Sequence, residues 1–502
     1  MKKIVIFTVI TCLLGSLSAQ RIPFVQGDKS HKKAYLPQQI RIVDGTTDGQ
    51  YLVVEPDLNA FHKTKAVKVR WCDINWKDSK TALIPETKSY NIKDAFCSGN
   101  KLHLLLDYED WSYLKLRHVE LDAKSLDILS DNMIVDINYT AAQRGDVMVA
   151  SSPNGERHGA VLTLWSDNGG NYVASAKAFL FDKDMKQLWQ RDLAATNVHQ
   201  ILVTDRGEVV TAAIGAYSEN KEESVFLFNL ADANGALAAE MNTKADVDCF
   251  ALLNYNDGKV VLTALEGKGN ANRVSVGLGY ASCDRKYSGI CSYCFYIPTS
   301  RMVSEQRHRF TLDDVRCFEN RDADERVDSV ADLLSIDDYC ATPQGGAVIY
   351  HRAWKMEVRD MRTGSQGGST AYSLGMLLAM VDMDGNITAV VPIRQNNQNA
   401  DSPNVGADVF PHNGKVYVVT NESEEETDEY TPNVPAMRHK KLLKANTGLS
   451  IYAISPNGEV KKQMLEKERR ALLKNPLCKG KDGIFYFLSG GVHSNISYIK
   501  LP

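Results

Sequence analysis

The chain has 502 residues, 44% of them hydrophobic and 24% charged, a normal globular composition with ample material for a large core. Its formal charge is −4, and no stretch interleaves Arg or Lys with aromatics as nucleic-acid binders do, so nucleic acid is excluded as the expected partner. No segment after residue 19 approaches 18 consecutive apolar residues, and the mature chain is not expected to span a membrane.

The first element is residues 1–19, "MKKIVIFTVITCLLGSLSA". Lys2 and Lys3 form a basic start, residues 4–14 an apolar core, and Ser16, Leu17, Ser18 and Ala19 a small-residue cleavage zone. This pattern predicts a secretory signal peptide and an exported protein, in the periplasm or at the cell surface. Lipidation would have to use Cys12, but Val9, Ile10 and Thr11 precede it where small residues are needed. Cleavage leaves nine of ten cysteines, an odd number that keeps at least one thiol unpaired in an oxidising compartment.

From residue 20 onward one unit recurs. "DGQYLVV" at Asp48, "SGNKLHLLL" at Ser98, "RGDVMVA" at Arg144 and "RGEVVTAAI" at Arg206 each place a glycine before an alternating or continuous apolar run. "DGKVVLTAL" at Asp257, "GGAVIYH" at Gly345, "NGKVYVVT" at Asn413 and "DGIFYFL" at Asp482 continue the series. Glycine supplies the positive φ of a tight turn, and the run behind it suits a strand buried on one or both faces. A first strand precedes most copies, as in "QQIRIVDG" and "GADVFPH", so the unit opens with a short-looped hairpin. A second hairpin follows, for example "YLKLRHVELDAKSLDIL", "VFLFNLADANGALAAE" and "SIYAISPNGEVKKQM". The final copy, "SNISYIKLP", stops after one strand.

Two hairpins per unit, repeated about eight times, predict an all-β chain: a single β-propeller of about eight (alternatively seven) four-stranded antiparallel blades over residues 20–502. The glycines at 49, 99, 145, 207, 258, 346, 414 and 483 lie 46 to 88 residues apart, which assigns loop insertions to the wider units. "AVLTLWSDNGGNY" adds an extra strand to the third unit and blurs its limits. The half-unit at the end predicts that residues 21–37 supply the missing outer strand of the last blade, closing the ring and removing its open edges. In architecture the chain resembles secreted bacterial β-propellers to which no activity is attached. It lacks the recurring Trp-Asp pair and the paired glycines that mark two propeller families.

In such a ring the long connections fall on one face, between residues 265 and 449. Loops on a rigid scaffold are where binding sits. Within that sector "HRAWKMEVRDMR" offers His351, Arg352, Trp354, Lys355, Arg359 and Arg362. The loop of the seventh unit adds Arg438 and His439 beside an acidic run from Glu422 to Glu429. Guanidinium, indole and imidazole together suit a protein interface or an anionic glycan, whereas the acidic run alone equally suits a solvated loop.

Catalytic and metal patterns are weak. "WSDNGGNY" (165–172) is similar to the Asp-box of sialidases at Asp167 and Gly169, but Trp165 and Asn171 depart from it, and a hairpin turn accounts for it. "DMDGN" at Asp382 starts like a calcium loop without the later ligands. Cys283, Cys291, Cys294 and Cys317 do not form the two close pairs of a thiolate zinc site, so a local disulfide is favoured over metal. No nucleophile elbow, phosphate loop or dinucleotide fingerprint occurs. The expectation is a protein without cofactor or metal that binds an envelope protein as a scaffold or accessory subunit. The alternative is a glycan-binding or glycan-hydrolysing propeller using the same face.

Overall fold

The computed structural model describes residues 22–26, 40–45, 49–58, 64–110, 113–138, 143–166, 172–194, 198–214, 223–268, 274–276, 281–283, 285–315, 317, 334–359, 366–399, 407–423, 447–466, 478–479, 483–490 and 494–502. These residues form eight four-stranded antiparallel sheets and one two-stranded hairpin. Seven sheets take their strands in chain order from the inner to the outer edge. They are blades 1 to 7, covering residues 41–84, 91–138, 143–193, 200–242, 247–309, 334–399 and 407–466.

Blade 8 is composite. Its inner three strands are Cys478–Lys479, Ile484–Gly490 and Ser494–Lys500, and its outer strand is the N-terminal Phe24–Gln26. Phe24 pairs with Ile499 and Gln26 with Ser497, so the expected closure is observed. Gln463, on the outer strand of blade 7, grips the main chain of Ile22 from both sides at 2.7 and 2.8 Å.

The blade number follows from the packing. Eight separate apolar clusters occur, each drawn from two neighbouring blades. In the last, Tyr486, Leu488 and Ile496 of blade 8 meet Ile42, Tyr51 and Val53 of blade 1, which closes the circle at eight. The continuous apolar runs have the same cause. In the second strand of blade 2, Lys101–Glu109, Leu102, Leu104 and Leu106 pack on blade 1 while Leu105 packs on blade 3. A strand covered on both faces alternates direction without alternating polarity.

The third unit departs from its expected frame. Gly145 is not a turn residue; it lies inside the inner strand Gln143–Ser151, opposite Leu164. The turn is at residues 152–155, where Gly155 holds φ +71°, and "AVLTLWS" belongs to the second strand, Arg157–Ser166. Ser166 pairs with Tyr172, so the Asp-box-like fragment bridges two hairpin strands.

The expected local disulfide is absent: Cys291, Cys294 and Cys317 are free thiols. Cys291 and Cys294 project from opposite faces of the strand Lys286–Tyr296, one into the blade 4–5 cluster and one into the blade 5–6 cluster. A sheet therefore stands between the two sulfurs.

Candidate binding face and axial carboxylates

Antiparallel blades sort their connections by length. The turns between strands one and two, and between three and four, share one face of the disc and are tight. In blades 1 to 6 except blade 5, an Asp closing the third strand accepts the main-chain N–H groups of its own turn: Asp73, Asp122, Asp182, Asp232 and Asp382. The opposite face carries the long connections. Blade 5 inserts the hairpin Val274–Val276 and Ala281–Cys283, and its exit runs through the short helix Leu312–Val315. In blade 6 the strands Gly345–Arg359 and Gln366–Asp382 keep pairing beyond Arg352, through Trp354 opposite Tyr372 and Lys355 opposite Ala371, to Arg359 opposite Gln366. Among the described residues the inner strand of that blade reaches only Arg352 and the outer strand pairs no further than Ala371, so the two middle strands run on past both as a hairpin.

The residues singled out from the sequence divide accordingly. His351 lies within the blade body, 2% exposed, its Nδ1 3.8 Å from Asp337 Oδ1. Arg352 is the last residue of the body and is half-buried. Trp354, Lys355 and Arg359 lie past Arg352 on the same strand, but their side chains lie outside the described residues. Arg362, Arg438 and His439 lie outside them altogether.

At the foot of the blade 5 insertion, Arg285 is 2% exposed and is held by two carboxylates. Its guanidinium is 2.9 Å from Asp246 Oδ2 and 2.6 Å from Asp248 Oδ2, fixing the returning chain to the inner strand Val247–Asn256. Beside it Cys249 Sγ lies 3.7 Å from Tyr287 Oη. Burial pushes that thiol up to about 12, which leaves it protonated and a poor nucleophile.

The axis carries a feature that the repeat reading missed. Asp44, Asp94, Asp146 and Asp338 stand on four inner strands, and each accepts the N–H of the following residue at 2.7 to 2.9 Å. In blades 1, 2 and 6 the ladder slips by one residue just before the Asp. A bulge withdraws an N–H from its ladder, and the short carboxylate takes it up. In blade 6 the same groups staple the next blade: Asp338 Oδ2 accepts Val409 N at 2.7 Å, and Asp337 Oδ2 accepts Ala407 N at 2.5 Å. Gln200 does likewise from blade 4, receiving Leu252 N and donating to Phe250 O.

Asp94 and Asp338 touch solvent yet are largely enclosed by protein. Burial holds Asp94 above the usual carboxylate range and pushes Asp338 up to about 7. Asp408, whose buried Oδ2 has no hydrogen-bond partner among the described residues, is pushed well above that range by burial and by Asp338 and Asp337. A signal existed: an Asp sits five residues before the turn glycine in blades 1 and 2, at Asp44 and Asp94. No group of three or more His, Cys, Asp or Glu among the described residues is arranged to hold a metal ion.

No protein-family model matches the chain, and no curated protein sequence does. Solved structures similar to it include the β-propeller domain of the trilobed protease from Pyrococcus furiosus. That similarity has TM-score 0.33 and 11% identity, over 82% of this chain and 93% of that one. The Dos1 propeller is similar with TM-score 0.42 and 8% identity, covering 95% of both chains. The polysaccharide lyase Uly1 is similar with TM-score 0.36 and 10% identity, over 94% of this chain and 98% of that one. Likeness at this level carries nothing about chemistry. The propeller assignment rests on the blades themselves.

Proposed function

We propose that this chain is a non-catalytic propeller of the cell envelope, a protein-binding scaffold or accessory subunit that engages its partner with the long-loop face of blades 5 to 7. One observation carries this reading. The longest connections lie on one face within blades 5 to 7, while the turns of the opposite face stay short and in five blades are tied by their own Asp. A binding surface needs exposed chain on a fixed base, and the extended blade 6 hairpin on a closed ring has that form. Arg285 and Asp338, enclosed nearby, are consumed in holding the base. Export under the direction of residues 1–19 belongs to the same proposal.

The test is affinity purification of the tagged mature protein from its own envelope fraction after mild cross-linking. A small reproducible set of proteins joined through residues 265–290, 352–375 or 421–449 is the expected result. Deleting residues 424–446 should abolish capture without lowering Tm. Recovery of a clean monomer, or of partners joined through the short-turn face, would refute the proposal and direct attention to glycans.

A further inference from the structure

Positions 103, 118 and 158 have no spacing that marks them in the sequence, yet the packing of blade 2 on blade 3 gathers their imidazoles into one layer. His103 lies on the second strand of blade 2 and His118 on the third, Tyr113–Asp122. Their Nδ1 and Nε2 atoms are 3.0 Å apart. Phe96, from the inner strand Asn91–Ser98, stacks on His103 at 5.1 Å and on His158 of blade 3 at 3.7 Å. His158 Nδ1 is 2.8 Å from Ser151 Oγ. The three rings are 0, 5 and 2% exposed, and Nε2 of both His103 and His158 is buried without a hydrogen-bond partner among the described residues.

Geometry forbids His103 and His118 from both carrying a proton on the nitrogens that face each other. A bond between two imidazole nitrogens needs one N–H and one lone pair, so the His103–His118 bond survives one added proton and not two. Nearby carboxylates are already engaged. Glu120 is 3.9 Å from His103 but 3.0 Å from Lys101, and Asp131, facing His118, is held by Arg117 at 2.5 Å. On the blade 3 side, Asp184 pairs with Lys183 at 2.9 Å, and Asp182 accepts the N–H groups of its own turn. An imidazolium formed here would meet another imidazole before it met a free carboxylate. Burial accordingly pushes all three rings down, His118 and His158 to about 4.

We propose that the seam between blades 2 and 3 is an acid-sensitive joint: neutral imidazoles keep it shut, and their protonation parts the two blades there while the rest of the ring stays packed. This inference is independent of the scaffold reading, since it concerns a seam far from the long-loop sector in the chain.

Hydrogen exchange of the full chain between pH 7 and 4.5, corrected for intrinsic rates, tests it. The opening constant for amides in Asn91–Ser98 and Gln143–Ser151 should rise about tenfold per pH unit for each histidine that titrates only on opening. Amides of blade 1 should keep their protection. His158→Gln, a single change that leaves the His103–His118 pair in place, should lower that slope by one proton. The Cε1 resonances of His103, His118 and His158 should not titrate near 6.5 in the closed state. Uniform loss of protection around the ring, a seam still closed at pH 4.5, or a His158→Gln slope equal to that of the wild type would overturn the proposal.

Discussion

The two faces of blade 2 are equally buried and chemically unlike. Toward blade 1 it presents Leu102, Leu104, Leu106, Val119 and Leu121, an apolar layer without a histidine. Toward blade 3 it presents Leu105, Leu114 and Leu116 together with Phe96 and the histidine layer. Both faces come from the same strands, so composition and strand propensity cannot distinguish them. Parity does, since a residue moved by one position along a strand changes seams. One face carries no group that titrates near neutral pH at its core, and the other also depends on the protonation state of its histidines.

The largest expected effect sharpens that contrast. Leu104 is fully buried in the apolar seam, and Leu104→Ala should cost roughly 2–5 kcal/mol, because deletion leaves a cavity in a closely packed layer. That loss, read from denaturant midpoints, should be the same at pH 5 and pH 8. His158→Gln should behave otherwise. At pH 7 it should cost roughly 1 kcal/mol for a lost hydrogen bond and ring contact. The wild-type ring, held near 4 against an ordinary 6.5, contributes its full stability only above 6.5. It loses that contribution as pH falls toward 4, roughly 3 kcal/mol in all. The curves of variant and wild type should therefore cross below pH 6. Parallel curves would break the comparison.

Asp338, on the axis, should show the opposite sign. Asp338 is raised to about 7, so its protonated form stabilises the fold at low pH, and that stability is lost as pH rises through about 7. Asp338→Asn keeps the shape but turns one acceptor into a donor toward Tyr339 N or Val409 N, at a cost of roughly 1–3 kcal/mol in acid. Its deficit relative to wild type should shrink as pH rises from about 4 to about 7 and then level off. A deficit that grows with pH would show that Asp338 is ionised in the fold.

How much of this was legible beforehand depends on how locally each feature is specified. Gly49, Gly99, Gly207, Gly258, Gly414 and Gly483 hold positive φ at the first turn of their blades, a demand that each residue meets alone, so the repeat could be read. The third blade misled because Gly145, although followed by an alternating run, sits inside a strand, while the turn glycine is Gly155. The N-terminal closing strand was readable because a half-unit at one end requires its complement at the other. The axial Asp residues looked like ordinary polar positions of half-buried strands, and their use depends on a bulge and, for Asp338, on the next blade. The histidine layer joins three positions that only the blade packing brings together. His351 looked like part of a recognition surface, and strand parity turned it into the blade.

The smallest expected effect concerns Asp382, whose "DMDGN" stretch starts like a calcium loop. Oδ1 accepts Asp384 N at 2.9 Å and Asn386 N at 2.8 Å, and Oδ2 accepts Asn386 Nδ2 at 2.8 Å. Both oxygens thus serve the turn, and a divalent cation would have to displace those donors to reach them. The same carboxylate recurs at the end of the third strand as Asp73, Asp122, Asp182 and Asp232, as expected of a turn device rather than of a site unique to one blade. Asp382→Ala should therefore cost no more than about 1 kcal/mol, since the turn keeps its main-chain bonds from Asp382 N to Asn386 O and from Gly385 N to Asp382 O. Millimolar calcium should shift the Tm of wild type and variant equally. A calcium-dependent rise confined to the wild type would show that the turn yields its carboxylate to a metal, and the recurrent Asp would then need a second explanation.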